Sequence, residues 1–336
     1  MATIKDVAKK AGVAPSTVSR ALHDSSLISK STKQKIWDAM DALNYSPNFA
    51  AQNLANNTSN IIGVILPPNK ESVANNPFFS QILQGIAAVC NQQDFMVAIA
   101  TGKNDDELIE NIKMMIKRGK VNKFIITYSQ KNGAVIQFLQ AQHTECVLIG
   151  EPAKNSSETL FVNNDNVQAG RDATEFLFNQ GFQHPVFVYN DLTEMVQRDR
   201  YVGYSQEVQK NVEDVVGFKL DREHGLEQLQ EFLKQHPHVD SFVVCDDIMA
   251  ITLQNRLSAL EQKTSDFGII SFNNSIFARA MHPALTSVEI FPSSLGMEAA
   301  VLILNTADDD FKKLRSSMSH VIIPHKIIAR ESTIKH

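Results

Sequence analysis

Apolar positions change rhythm along the chain. Over residues 1–45 they recur three and four apart: Ile4, Val7 and Ala8, then Val18, Ala21 and Leu22, then Ile36, Met40 and Leu43. That spacing puts one apolar stripe on each of three short helices. Local punctuation agrees. Thr3 and Asp6 make a capping-box-like start, and Ser31-x-x-Gln34 does the same for the third helix. Gly12 ends the first helix, and Pro15 takes the first position of the second. Two short helices about the turn Gly12-Val13-Ala14, with a third to bury them, predict a helix-turn-helix domain.

From residue 61 short apolar runs alternate with amphipathic stretches. Ile61–Leu66, Phe95–Ala100, Lys123–Thr127, Cys146–Ile149, Leu160–Val162, Val186–Tyr189, Phe242–Cys245, Gly268–Phe272 and Val321–Ile323 read as strands. Phe79–Cys90, Gln168–Gln180 and Met249–Leu260 read as helices between them. Such alternation predicts an α/β fold with parallel sheets. About 275 residues is too much for one such sheet, so the division expected is two doubly wound lobes with a cleft between them. Lobe 1 is expected at about residues 61–159 and 291–319, and lobe 2 at about 160–290 and 320–336. The fold class is therefore an N-terminal all-α helix-turn-helix head plus an α/β core of two parallel-sheet lobes.

Residues 46–60 join the two. Ser46-Pro47-Asn48 starts a short helical pattern that ends near Ala55, and a polar linker follows from Asn56 to Asn60. A helix this short falls below the roughly 12–15 residues needed for marginal stability in water. It is expected to be disordered alone and to fold on binding.

Composition adds a partner class. The chain is 43% hydrophobic and 21% charged, which suits a sizeable core. Its net charge of -5 argues against nucleic acid when read globally. The distribution reverses that: residues 1–60 carry seven Lys/Arg against four Asp/Glu, and residues 61–336 carry 25 against 33. A basic head on an acidic body fits a nucleic-acid contact confined to the head. No apolar run approaches the roughly 20 residues that cross a bilayer. Residues 1–6 contain no signal-peptide core, so a cytoplasmic protein without a membrane partner is expected. Cys90, Cys146 and Cys245 lie far apart in apolar sequence and read as buried thiols of a reducing compartment. The ten histidines are dispersed, and no phosphate loop, nucleophile elbow or metal-spaced cluster is present. The expectation is a chain that is not an enzyme, with no cofactor and no metal site. The competing class is a secreted sugar-binding protein, which the head and the missing signal peptide oppose.

In a helix-turn-helix the second helix presents its N-terminal side chains to the major groove. Here those are Pro15, Ser16, Thr17, Ser19 and Arg20. Arg20 can donate twice to a guanine edge, for about 1–3 kcal/mol of discrimination. Ser and Thr hydroxyls suit phosphates or bases.

The run Ile4-Lys5-Asp6-Val7-Ala8-Lys9-Lys10-Ala11-Gly12-Val13, then Ser16-Thr17-Val18-Ser19-Arg20-Ala21-Leu22, then Tyr45-Ser46-Pro47-Asn48, resembles the head of the lac repressor family. The resemblance implies a homodimer on near-palindromic double-stranded operator DNA. It adds Thr3, Tyr45, Asn48, Leu54 and Ala55 to the DNA-contacting set. Residues 47–55 would be the hinge helix, with Leu54 wedged between central base pairs from the minor groove. Two positions depart from the pattern. Ala14 stands where the family often has a capping Ser, a loss of about 1 kcal/mol that Pro15 partly offsets. Gln52 stands where Arg is frequent.

Residues 61–330 resemble the same family's sensor, a periplasmic sugar-binding fold. Asn76-Pro77-Phe78-Phe79 matches its first cleft loop, with Phe79, or else Phe78, stacking on a ligand ring. Asp165 in Val162-x-x-Asp165-Asn166 is either a ligand contact or a helix cap. Arg200-Tyr201-Val202-Gly203-Tyr204 matches an Arg-x-x-Gly-aromatic motif whose guanidinium holds the effector; a fork of this kind can grip two neighbouring hydroxyls. Arg198 is its solvated neighbour. In Cys245-Asp246-Asp247 the resemblance points Asp246 at ligand and makes Asp247 the cap of the next helix. Phe218, or alternatively Leu220, supplies another face. His282 is structural.

Asn273 replaces a usual aspartate in Ile270-Ser271-Phe272-Asn273-Asn274-Ser275. Asparagine both donates and accepts, which suits a neutral polyhydroxylated ligand. The Phe-Asn-Asn-Ser form resembles the maltose-operon regulators of Gram-positive bacteria. The expected function is repression of a sugar-utilisation operon, with release by a small sugar, maltose or a maltodextrin. The alternative is a catabolite-control or purine-sensing regulator that needs a corepressor.

Overall fold

Each helix of the head is built by its ends as much as by its stripe. A computed structural model describes residues 2–22, 25, 27–45, 59–68, 73, 75–129, 133–152, 159–212, 214–221, 225–305 and 320–335. The chain divides into two units between Ser59 and Asn60. In the first, α1 spans Ile4–Ala11, α2 Pro15–Leu22 and α3 Lys30–Ala42. The Asp6 carboxylate accepts from the Thr3 amide at 2.8 Å and the Thr3 hydroxyl at 2.7 Å. These bonds hold its pKa below the ordinary carboxylate value. Gly12 ends α1 in the left-handed region, φ 68°, a conformation glycine adopts without steric cost. The third helix starts one turn-fraction earlier than the sequence suggests. Ser29, not Ser31, is its cap, accepting from the Thr32 amide at 3.2 Å. Val7, Ala8, Val18, Ala21, Ile36, Ala39 and Met40 form the buried core, with Leu22 and Tyr45 packed on its edge.

The second unit holds two six-stranded sheets. Its elements are β1 (Ile61–Ile65), α4 (Pro77–Gln92), β2 (Met96–Ala100), α5 (Asp105–Gly119), β3 (Lys123–Ile126), α6 (Ala134–Ala141), β4 (Glu145–Ile149), β5 (Leu160–Asn164), α7 (Asn166–Asn179), β6 (Pro185–Tyr189), α8 (Met195–Asn211), β7 (Gly217–Lys219), α9 (Gly225–Gln235), β8 (Ser241–Val244), α10 (Asp247–Ala259), β9 (Gly268–Phe272), α11 (Ile276–Ala280), β10 (Thr286–Glu289), α12 (Pro292–Leu304), β11 (His320–Ile323) and β12 (Lys326–Ile328). The strand orders are β11-β5-β4-β3-β1-β2 and β12-β10-β9-β8-β6-β7. All pairs are parallel except β10 with β12.

The two orders correspond strand for strand. So do the helix pairs: Gly85 and Gly296 bring α4 against α12 in one lobe, and Gly170 and Gly203 bring α7 against α8 in the other. At each of the four a Cβ would overlap a main-chain carbonyl of the partner helix. No sequence repeat announces this internal likeness.

The expected lobe boundaries shift. Both β5 and β11 belong to the sheet of lobe 1, not lobe 2. The chain therefore crosses between lobes after β5, after β10 and after β11. Strands β7, β10 and β12 were absent from the apolar runs because they are short and carry few apolar residues in sequence. Among the described residues no helix is long and apolar enough to cross a membrane. Cys90 and Cys245 are buried and Cys146 is partly buried.

Candidate DNA-contacting helix and ligand cleft

On α2 the apolar residues Val18 and Ala21 turn inward and leave Pro15, Ser16 and Arg20 exposed, with Thr17 and Ser19 partly so. Ala14 supplies no side-chain cap, and its carbonyl accepts from the Thr17 amide at 2.9 Å. Thr3 is exposed at the start of α1, and Tyr45 is half-buried against the head core. The expected hinge contacts Asn48, Leu54 and Ala55 lie outside the described residues.

A cleft of about 620 Å³ opens between the lobes of the second unit. Its walls come from the carboxyl ends of strands: Thr127 and Ser129 after β3, Gly150 after β4, Asn163 and Asn164 of β5, Asn190 after β6, Asp246 after β8 and Asn273 after β9. That is where parallel α/β sheets place ligands.

Among the described residues of this lining Arg200 is the only cation, and it is 4% exposed. Its Nε donates to Asn166 Oδ1 at 3.0 Å and its Nη1 to the Cys245 carbonyl at 2.7 Å. The guanidinium carbon sits 4.2 Å from the centre of the Phe272 ring. Burial pushes its pKa down to about 10, against the opposing pull of neighbouring acids, so the charge persists at neutral pH. These bonds engage Nε and one hydrogen of Nη1, so any ligand contact would fall to the remaining hydrogens of Nη1 and Nη2.

Phe78 and Phe79 also line the cleft, edge to face with centroids 5.2 Å apart. Asn76 caps α4 beneath them, accepting from the Phe78 amide at 3.1 Å. Phe78 packs against the cores of both lobes. Asn273 lies in the cleft at φ 100°, next to Asn274 at φ 46°. A non-glycine residue held there is a strained conformation of the kind that clusters at ligand sites.

Three expectations need correction. Asp165 is exposed and caps α7, accepting from the Gln168 amide at 2.8 Å; the cleft takes its neighbours Asn163, Asn164 and Asn166 instead. Phe218 is buried with Phe232, centroids 4.5 Å apart, and Leu220 reaches the cleft in its place. The roles of the acidic pair change too. Asp246 lines the cleft and is itself the cap of α10, accepting from the Met249 amide at 2.8 Å. Asp247 turns into lobe 2, where Ser271 and Ser287 hydroxyls donate to it at 2.6 and 2.7 Å. Burial raises both carboxyls above the ordinary value.

Sequence reasoning missed Asn190, Glu194 and Gln197 as well as the asparagines. Gln197 Oε1 accepts from the Asn190 and Asp191 amides at 2.9 and 3.2 Å, and its Nε2 donates to Glu194 at 2.7 Å. The run Asn163-Asn164-Asp165-Asn166 directly after an apolar strand was the available signal. Among the described residues no group of side chains is arranged to hold a metal.

Residues 3–48 match the bacterial regulatory proteins of the lacI family, and residues 59–331 match the periplasmic binding proteins and sugar binding domain of that family. The chain is 30% identical to the transcriptional regulator MalR of Streptococcus pneumoniae, over 98% of this chain and 99% of that one. It is 32% identical to MalR of Staphylococcus xylosus, over 99% and 98% respectively. A crystal structure of the probable maltose operon transcriptional repressor of Staphylococcus aureus superposes with a TM-score of 0.76 at 25% identity, over 83% of this chain and all of that one. A three-helix head with an exposed Arg20 and a two-lobed body with a cleft at its strand ends are thus both matched along nearly the whole chain, which belongs to the LacI family of DNA-binding transcription regulators and is not an enzyme.

Proposed function

We propose that this chain is a repressor that binds a near-palindromic operator as a homodimer in the cytoplasm and releases it when an uncharged sugar, maltose or a maltodextrin, fills the cleft. The observation that carries the reading is the cleft itself. One forked cation, Arg200, stands among amides and hydroxyls from Asn163, Asn166, Asn190, Asn273, Thr127 and Ser129, beside the paired rings of Phe78 and Phe79. Amides and hydroxyls match the mixed donors and acceptors of a polyol, and flat aromatic faces match the apolar faces of sugar rings. The likeness to two MalR regulators over nearly the full chain supports maltose in particular.

Arg20, with Pro15, Ser16, Thr17 and Ser19, reads base edges in each half-site, while Thr3 and Tyr45 contact the backbone. Asn48, Leu54 and Ala55 complete the contact from the hinge. To take operator occupancy from 99:1 to 1:99, the ligand must discriminate between the two states by about 5.5 kcal/mol, which two sites per dimer can share.

Gel shift of the chain's own upstream region, with and without maltose, tests this together with calorimetry over a sugar panel. Specific binding that maltose releases supports every part. Specific binding indifferent to maltose, with purine or phosphoprotein binding instead, favours the corepressor-dependent alternative. No specific binding at low salt sinks the operator claim.

A further inference from the structure

Three crossovers join the lobes, and one side chain touches all of them. Asn164 ends β5 and so lies in the first. Its Nδ2 donates to the Ile290 carbonyl in the second at 3.1 Å and to the Ile323 carbonyl at the third at 3.0 Å. A carboxamide has two N–H donors, and each is spent on a different crossover. The side chain is 3% exposed, so water does not compete for either bond. Nothing in the local strand requires this arrangement: the β5–β11 ladder pairs Asn164 with Ile323 through the main chain already.

The same residue is tied to the ligand cleft. Asn166 Nδ2 donates to Asn163 Oδ1 at 3.0 Å and to the Asn164 carbonyl at 3.3 Å. Asn166 Oδ1 in turn accepts from Arg200 Nε at 3.0 Å. A displacement of the guanidinium therefore reaches Asn164 through one intervening side chain.

We propose that Asn164 is the positioning residue of the hinge, a clasp that makes three separate crossovers move as one and passes motion of Arg200 into all three. Lobe rotation then pivots about this amide instead of bending each connection independently. Hinges are a few residues that absorb the change in backbone angle; here they are coupled by a single donor pair. The proposal concerns the unliganded molecule and holds whichever ligand fills the cleft.

Hydrogen exchange read by mass spectrometry on the full-length protein tests it without any ligand. The variants are Asn164→Asp, which keeps the shape but offers no amide donor, and Asn164→Ala, which removes both bonds without adding charge. The expected result is exchange faster by about tenfold or more at residues 160–166, 288–292 and 320–328 together, with β3 and β8 unchanged. These segments are distant in sequence, so a merely local role would loosen only the first. Faster exchange confined to 160–166, or spread equally through β3 and β8, or absent in whichever variant folds, overturns the proposal.

Discussion

Gly170 on α7 lies directly against the main chain of Arg200 on α8, so close that a Cβ would overlap the Arg200 carbonyl oxygen. Gly203 makes the reciprocal approach to Val167. The cleft arginine is thus set by backbone contact as well as by its own hydrogen bonds. Gly170→Ala should push α8 outward and cost about 1–3 kcal/mol through overpacking. A thermal melt should show the loss, and ligand affinity should fall with it. An unshifted melt would mean the helix crossing has room that the geometry denies.

Arg200→Lys separates ligand contact from structure. Lysine keeps the charge, but a single ammonium cannot reach Asn166 and the Cys245 carbonyl together while presenting a third donor to the cleft. Operator affinity without ligand should be preserved and the response to ligand lost. Arg200→Ala is the harsher change, leaving acceptors bare at roughly 1–3 kcal/mol each. If Arg200→Lys weakens operator binding in the absence of ligand, the guanidinium serves the fold and not the effector.

The head, the alternating α/β pattern and most strands were legible because each rests on a local apolar period. Sheet membership was not. Leu160–Val162 reads as a strand, but nothing in three residues says which sheet it joins, and the polar Asn163 and Asn164 conceal its last two residues. The family resemblance at Val162-x-x-Asp165-Asn166 leaves Asp165 open as ligand contact or helix cap, and the structure shows the cap. The same one-residue ambiguity moved the helix cap from Asp247 to Asp246, which also keeps its place in the cleft. Arg200, Phe79, Asp246 and Asn273 were readable only through family resemblance; spacing alone would not have chosen them.

Phe78 and Phe79 touch the same cleft but differ in what lies behind them. Among the described residues, Phe78 packs on both lobe cores, and the half-buried Phe79 belongs to neither. Phe78→Ala should lower stability by about 2–4 kcal/mol, below the full cost of an entirely buried ring. Phe79→Ala should leave the melt within about 0.5 kcal/mol of wild type and weaken sugar binding by calorimetry. The opposite pattern would reverse the two assignments.

Arg20 is exposed on the helix expected to enter the groove. Arg20→Ala should relax discrimination at one base position in each half-site by about 1–3 kcal/mol. Substituting Thr3, a proposed backbone contact, should instead weaken all sequences alike. Competition among operator variants at one fixed salt concentration distinguishes them. Uniform weakening by Arg20→Ala would make that residue a backbone contact.

Asp247 offers a test in pH. Its carboxylate accepts from Ser271 and Ser287 hydroxyls and from the Ser275 amide at 2.6 Å, yet burial outweighs these donors and raises its pKa above the ordinary 3.8. A group raised in the folded state contributes stability that is full below its unfolded value and is lost as pH rises through the folded value. Asparagine at this position does not titrate. The stability of wild type relative to Asp247→Asn should therefore improve as pH falls from about 7 toward 4, by about 1.4 kcal/mol for each unit the carboxyl is raised. Denaturant melts of both proteins across that range measure it. The reverse slope would mean that the three donors win over burial. Asp247 would then be a carboxylate stabilised in its charged form, holding β9 and β10 together by attraction rather than tolerated at a cost.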